Sequence, residues 1–221
     1  MSPLVKICGL STPETLDVAL DAGADMVGFM FFPPSPRNIS FHAARELGAR
    51  VNGRAQKVAV TVDADDATLA NIVDVVQPGL LQLHGKETPA RVAAIRQRFG
   101  MPVMKVLAIE TKADLDAIPL YAKIADRLLF DARAPREATR PGGLGKPFDW
   151  HLLENLDLSI PFMLSGGLHA GNVAQALRVT RAPGVDVSSG VESAPGVKDP
   201  DKIRAFIRAA RASHDAGTAV G

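Results

Sequence analysis

The sequence predicts an α/β fold, a single (β/α)8 TIM barrel with eight parallel strands. Three observations carry that expectation. Eight short apolar runs punctuate the chain, most of them continuously apolar rather than alternating, as suits parallel strands covered on both faces. Helix-length amphipathic segments lie between them. The 221 residues are enough for one closed barrel of such units and leave little room for a second domain. An open doubly wound sheet is the alternative, but it more often has fewer strands, and no GxGxxG follows the first run.

Taken in order, the first run spans residues 4–8 and leads to a helix over 13–22. Ser11-Thr12-Pro13-Glu14 opens that helix, with a capping hydroxyl before a proline suited to the first turn, and Gly23 closes it. Runs at 26–31, 57–62 and 80–83 precede helices at 41–51, 66–76 and 89–99. The last of these is opened by Thr88-Pro89 and closed by Gly100. The runs at 103–107 and 127–130 are followed by shorter helical stretches at 112–118 and 148–153. Runs at 161–164 and 185–187 then alternate with helices at 170–179 and 200–212. The barrel domain is therefore expected over residues 1–212. Residues 213–221, which lack periodicity, are expected to form a disordered tail.

Composition narrows the function. Lys and Arg number 25 against 24 Asp and Glu, so no electrostatic case exists for nucleic acid or an acidic membrane surface. No apolar run approaches the roughly 20 residues a spanning helix needs, and no secretory leader is apparent. Cys8 stands alone, which suits a reducing compartment and a cytoplasmic location. The five histidines show no metal-ligand spacing, so neither metal nor other cofactor is expected.

In a barrel, function gathers where strands end and loops begin. Glycines follow the seventh run (Ser165-Gly166-Gly167) and the eighth (Ser188-Ser189-Gly190), where backbone N–H groups can approach an anion closely. Paired turns at these two strands form the common barrel phosphate site, so Gly166, Gly167, Ser189 and Gly190 are the candidate phosphate residues. Gly142-Gly143-Leu144-Gly145-Lys146 is a candidate third wall or lid. The first run ends Lys6-Ile7-Cys8, with Lys6 and Cys8 on one side. A nearby ammonium would favour the thiolate of Cys8, although an isolated cysteine also serves as a small hydrophobe. Asp131 follows three apolar residues, a costly place for a carboxylate unless it is paired, for example with Arg133, or used. His84 is a ligand-binding or acid–base candidate, or a hydrogen-bonded wall residue. Arg37 follows a stiff Phe32-Pro33-Pro34-Ser35-Pro36 stretch that can fix a guanidinium for carboxylate or phosphate. Asp186 is either a carboxylate beside the substrate or a partner for a lysine such as Lys6.

Together these segments resemble the phosphoribosylanthranilate isomerase family of tryptophan biosynthesis. The resemblance runs from Val5-Lys6-Ile7-Cys8-Gly9-Leu10 to Gly196-Val197-Lys198-Asp199. It includes Gly23-Ala24-Asp25, Ser35-Pro36-Arg37, Gln82-Leu83-His84-Gly85, Asp131, Phe148-Asp149-Trp150, Ser165-Gly166-Gly167 and Asp186-Val187-Ser188-Ser189-Gly190-Val191-Glu192. Leu144 departs from the family's Ser or Thr, and residues 58–62 lack its Gly-Val-Phe.

The resemblance implies an Amadori rearrangement of N-(5′-phosphoribosyl)anthranilate to 1-(2-carboxyphenylamino)-1-deoxyribulose 5-phosphate. Cys8 would be the general base, Asp131 the general acid, and Arg37 the residue facing the anthranilate carboxylate. The expected partner is a small phosphorylated substrate, with the protein a monomer or homodimer. Two alternatives stand beside this one. The first is a histidine-pathway aminoaldose isomerase, which would be expected to carry an aspartate base and two phosphate sites. The second is a non-catalytic phosphometabolite-binding barrel, which would need no Cys8–Asp131 pair.

Overall fold

The computed structural model describes residues 2–218 apart from 136, 144 and 146, so Leu144 lies outside the described residues. Eight parallel strands close into a barrel: β1 (Leu4–Cys8), β2 (Met26–Phe31), β3 (Gln56–Thr61), β4 (Leu80–Leu83), β5 (Val103–Ile109), β6 (Arg127–Ala132), β7 (Phe162–Leu164) and β8 (Gly184–Val187). Closure is made by β1 against β8, with Lys6 opposite Asp186. The helices are α1 (Pro13–Asp21), α2 (Phe41–Val51), α3 (Asp66–Val76), α4 (Pro89–Phe99), α5 (Ile118–Ala122), α6 (Val173–Thr180) and α7 (Pro200–Thr218). Among the described residues the β6–β7 connection holds only a 3-10 turn, Trp150–Leu153, in place of a full helix. The Gly- and Pro-rich stretch before it cannot sustain helical backbone.

Local chemistry sets the helix ends. Thr12 accepts from the Thr15 amide and Thr88 from the Arg91 amide, each with proline at the first turn. Gly100 takes the left-handed conformation that ends α4, at φ 61°. The last helix continues past Ala212 because no proline interrupts it; the segment expected to be a tail is helical as far as Thr218. Residues 219–221 lie outside the described residues. One element has no counterpart in the periodicity: after β8 come a 3-10 turn, Ser189–Val191, and an antiparallel hairpin of β9 (Glu192–Ala194) and β10 (Val197–Lys198).

Strand alternation divides the core in two. One set of side chains packs between sheet and helices, including Ile7, Phe29, Leu81, Leu128 and Phe130. The other fills the lumen: Met26, Val58, Val60, Leu80, Met104, Leu129 and Met163, with Cys8 in the same cluster. The lower rim is tied to α7, where Arg211 pairs with Asp25 at 2.7 Å and Asp25 accepts the Val5 amide at 2.7 Å. No helix among the described residues is long and apolar enough to cross a membrane.

Candidate active site

A cavity of about 820 Å³, counted out to its open mouth, occupies the end of the barrel where the strands finish. Its walls include Cys8, Arg37, His84, Asp131, Gly166, Gly167, Asp186 and Ser189, so nearly every residue singled out from the sequence converges on one space. Gly190 is the exception. A Cβ there would lie 1.8 Å from the Leu168 carbonyl oxygen, so this glycine seats the β8 loop against the β7 loop and does not line the cavity.

Cys8, the last residue of β1, is 5% exposed and points into the lumen cluster. Lys6 lies one layer below on the same side, fully buried, and donates to Asp186 Oδ1 at 2.8 Å. Gly28 on the adjacent strand makes room for this trio: a Cβ there would lie 3.1 Å from Cys8 Sγ and 3.2 Å from Lys6 Nζ. Burial pushes the Cys8 thiol up, and Asp186 adds to the rise; Lys6 and Lys198 pull it down without overcoming burial. Lys6 favours the thiolate in direction, as expected, but not by enough to offset burial. Desolvation outweighs the cation, whose charge is shared with Asp186. The Lys6 ammonium is drawn down by burial but stands above its ordinary range because Asp186 and Cys8 hold it charged. Lys6 is thus both the partner of a carboxylate and the neighbour of the thiol, and Asp186 both pairs with Lys6 and lines the cavity.

Asp131 lies within β6, 5% exposed, on the lumen side. Its partner is not Arg133, which turns outward to Glu110 and Asp114. Instead His84 Nε2 stands 3.2 Å from Asp131 Oδ2, and Asp131 Oδ1 accepts the Ala132 amide at 2.9 Å. The loop carrying His84 is held from behind. Lys105 donates to the Gly85 carbonyl at 2.7 Å and to Glu87 at 2.6 Å, while the same carboxylate accepts the Gly85 amide at 2.9 Å. From above, Gly142 covers the pair: a Cβ there would lie 2.5 Å from Asp131 Oδ2 and 2.9 Å from His84 Cε1. Only glycine permits that approach.

Arg37 enters from the loop after β2 and is 3% exposed. Its guanidinium binds Glu192 of β9 in a two-pronged pair, Nε to Oε1 at 2.7 Å and Nη2 to Oε2 at 2.8 Å. Lys198 of β10 donates to the same Oε1 at 2.8 Å. Burial raises the Glu192 carboxyl, but Arg37 and Lys198 outweigh it and hold the group ionised, below the usual carboxylate range. Burial leaves Lys198 below the ordinary lysine range despite Glu192. Lys198 also donates to the Ser188 carbonyl at 2.8 Å, and Ser188 Oγ donates to the Cys8 carbonyl at 3.1 Å. Glu192, Lys198 and Ser188 stood in the sequence as parts of a motif, with no role attached. Ser188 and Glu192 lie in the stretch that follows the eighth run, and Lys198 lies in the last segment of the resemblance. Gln82, on β4 and 1% exposed, also lines the cavity, and its Oε1 has no hydrogen-bond partner among the described residues.

Chemically, the cavity offers a thiol and a carboxyl on separate strands, an arginine held by Glu192, and two glycine turns. Gly166 and Gly167 both have positive φ, 87° and 63°, and a Cβ on Gly166 would lie 2.6 Å from the Ala132 amide nitrogen. That backbone admits close approach by an anion. No cluster of potential metal ligands occurs among the described residues.

The family model described as N-(5′-phosphoribosyl)anthranilate (PRA) isomerase matches residues 5–209. The N-(5′-phosphoribosyl)anthranilate isomerase of Bradyrhizobium diazoefficiens is 72% identical over 216 residues, spanning 98% of this chain and 97% of the relative. Among solved structures, the phosphoribosyl anthranilate isomerase from Thermotoga maritima is similar with a TM-score of 0.86 at 36% identity, over 95% of this chain and 99% of that one. Another phosphoribosyl anthranilate isomerase, solved in complex with reduced 1-(o-carboxyphenylamino)-1-deoxyribulose 5-phosphate, gives a TM-score of 0.82 at 33% identity over 95% and 99% of the two chains.

Proposed function

Since the chain belongs to the N-(5′-phosphoribosyl)anthranilate isomerase family and is an isomerase of tryptophan biosynthesis, we propose how its own residues perform an Amadori rearrangement. The substrate is N-(5′-phosphoribosyl)anthranilate, an aminoaldose. Asp131 gives a proton to the furanose oxygen, the C1′–O4′ bond breaks, and the nitrogen lone pair forms an iminium. That cation acidifies the C2′–H bond. Cys8, as thiolate, takes the C2′ proton, and the bonding electrons neutralise the iminium to give an enolamine. Tautomerisation moves the enol proton to C1′ and yields the ketone. Returning the proton from Cys8 to Asp131 resets the pair.

The observation that carries this reading is the convergence of Cys8 and Asp131, from β1 and β6, on one cavity. An acid and a base on separate strands suit removal of a proton from one part of the sugar while another receives one. His84 orients the Asp131 carboxyl. Main-chain amides of the Gly166-Gly167 turn and of Ser189 hold the 5′-phosphate, and Arg37 meets the anthranilate carboxylate. Those remote anchors orient the reacting carbons. Gly190 contributes by packing the two phosphate loops together. We infer a cytoplasmic setting for the reaction, a reading that a free thiol supports.

The test is turnover of purified protein followed by loss of anthranilate-type fluorescence, without added metal. Cys8→Ala and Asp131→Asn should each lower kcat by about 10²–10⁴-fold, the usual contribution of a general acid or base. Near-wild-type turnover in both would overturn the assignment. Comparable turnover of the histidine-pathway aminoaldose would favour that alternative, and tight ligand binding with no turnover a binding barrel.

A further inference from the structure

We infer that Lys198 is a positioning residue for anion recognition, supplying through Glu192 the positive charge that lets Arg37 bind a substrate carboxylate. This rests on the reading that Arg37 meets that carboxylate. The difficulty it resolves is visible in the geometry. Arg37 spends Nε and Nη2 on Glu192, at 2.7 and 2.8 Å. A two-pronged arginine–carboxylate pair is neutral as a whole, and a neutral pair buried at a cavity wall attracts a second carboxylate weakly. Left at two members, the site would hold an arginine whose charge is already answered.

Lys198 changes the count. Its Nζ donates to Glu192 Oε1, the oxygen that also takes Arg37 Nε, so one carboxylate is shared by two cations. The remaining Lys198 hydrogen bonds go to the neutral Ser188 carbonyl and hydroxyl, at 2.8 and 3.2 Å. Lys198 donates to three acceptors, as an ammonium does, so the cluster of Arg37, Glu192 and Lys198 carries a net charge of one positive unit, with side chains at most 4% exposed. Arg37 Nη1 makes no hydrogen bond among the described residues and sits at the Gly143 turn, where a Cβ would approach it to 2.5 Å. Both Arg37 and Gly143 line the cavity. The net charge thus has an outlet, one guanidinium edge at the cavity wall.

The hairpin of β9 and β10 brings this about. It places Glu192 and Lys198 side by side and seats Gly196 against the loop that carries Arg37, where a Cβ would lie 2.5 Å from the Pro36 carbonyl oxygen. Lys198 touches the arginine only through Glu192, and its bonds to Ser188 reach the loop that holds Ser189. Its removal should therefore alter recognition of a carboxylate more than recognition of phosphate and sugar.

Calorimetric titration with two ligands reads that signature. One is reduced 1-(o-carboxyphenylamino)-1-deoxyribulose 5-phosphate; the other is the same molecule without the carboxyl group. Lys198→Met should weaken binding of the first by about tenfold, the size expected for one buried charge acting at an effective dielectric of about 20. Binding of the second should change less than about threefold on the same reasoning. Lys198→Gln, which keeps a hydrogen-bonding group but no charge, should behave alike, and Lys198→Arg should restore the preference. Equal losses on both ligands, or none, would overturn the inference. Arg37→Met separates the two layers. If its loss is carboxylate-selective while those of Lys198→Met and Lys198→Gln are not, Lys198 alone is refuted. If Arg37→Met shows no selectivity, the reading of Arg37 fails and the role of Lys198 falls with it.

Discussion

At the scale of single residues, the chemistry turns on how much thiolate Cys8 supplies. Burial is the largest influence on it and acts against the charged form; Lys6 and Lys198 act the other way and do not prevail. A raised thiol pKa leaves the group protonated at neutral pH, and the active fraction grows as pH rises toward that pKa. The ascending limb of kcat/KM, which reports the free enzyme, should therefore centre above the ordinary thiol value of about 8.5. A limb centred below that value would contradict the account. Iodoacetamide reactivity should follow the same curve. Lys6→Met should move it further up, since the cation that favours thiolate is gone, and an unchanged profile would remove Lys6 from the mechanism.

Elements turn those residues into a site. The loop after β6 meets the Asp131–His84 pair through Gly142, where even one methyl group would come within 2.5 Å of a carboxyl oxygen. Gly142→Ala should push that loop outward and lower kcat by about tenfold to a hundredfold, because sub-ångström misplacement of a reacting group is that costly. Its melting temperature should change little, since the loop contributes little to the core. Full activity would show that the loop does not seat the acid. The strands that carry these groups were legible in the sequence because parallel strands buried on both faces read as near-continuous apolar runs, as with residues 26–31. The hairpin of β9 and β10 was not. Strands of three and two residues, part exposed, have no period to detect. Nor could the sequence show that His84 pairs with Asp131, that Arg37 is engaged by Glu192, or that Gly190 is set back from the cavity. Each is a contact between distant loops made only when the ring closes.

For the whole molecule, two cores support one mouth. The outer core closes through α7, whose Phe206 is fully buried. Phe206→Ala should cost about 3–5 kcal/mol of folding stability, as truncation of a buried aromatic does. Urea unfolding would measure it, and a loss below about 1 kcal/mol would show a core able to collapse around the gap. Turnover at a temperature where the variant stays folded should be close to normal. The inner core is where the account is most exposed, because the lumen must present a thiol and a carboxyl to opposite sides of one sugar. A crystal structure with the reduced product analogue bound tests this most directly. The prediction places Cys8 Sγ within about 3.5 Å of C2′, the distance of a near-attack arrangement, with the Asp131 carboxyl on the other face and the phosphate on the Gly166-Gly167 turn. A sulfur beyond contact with C2′, or a carboxyl on the same face as the sulfur, would contradict it.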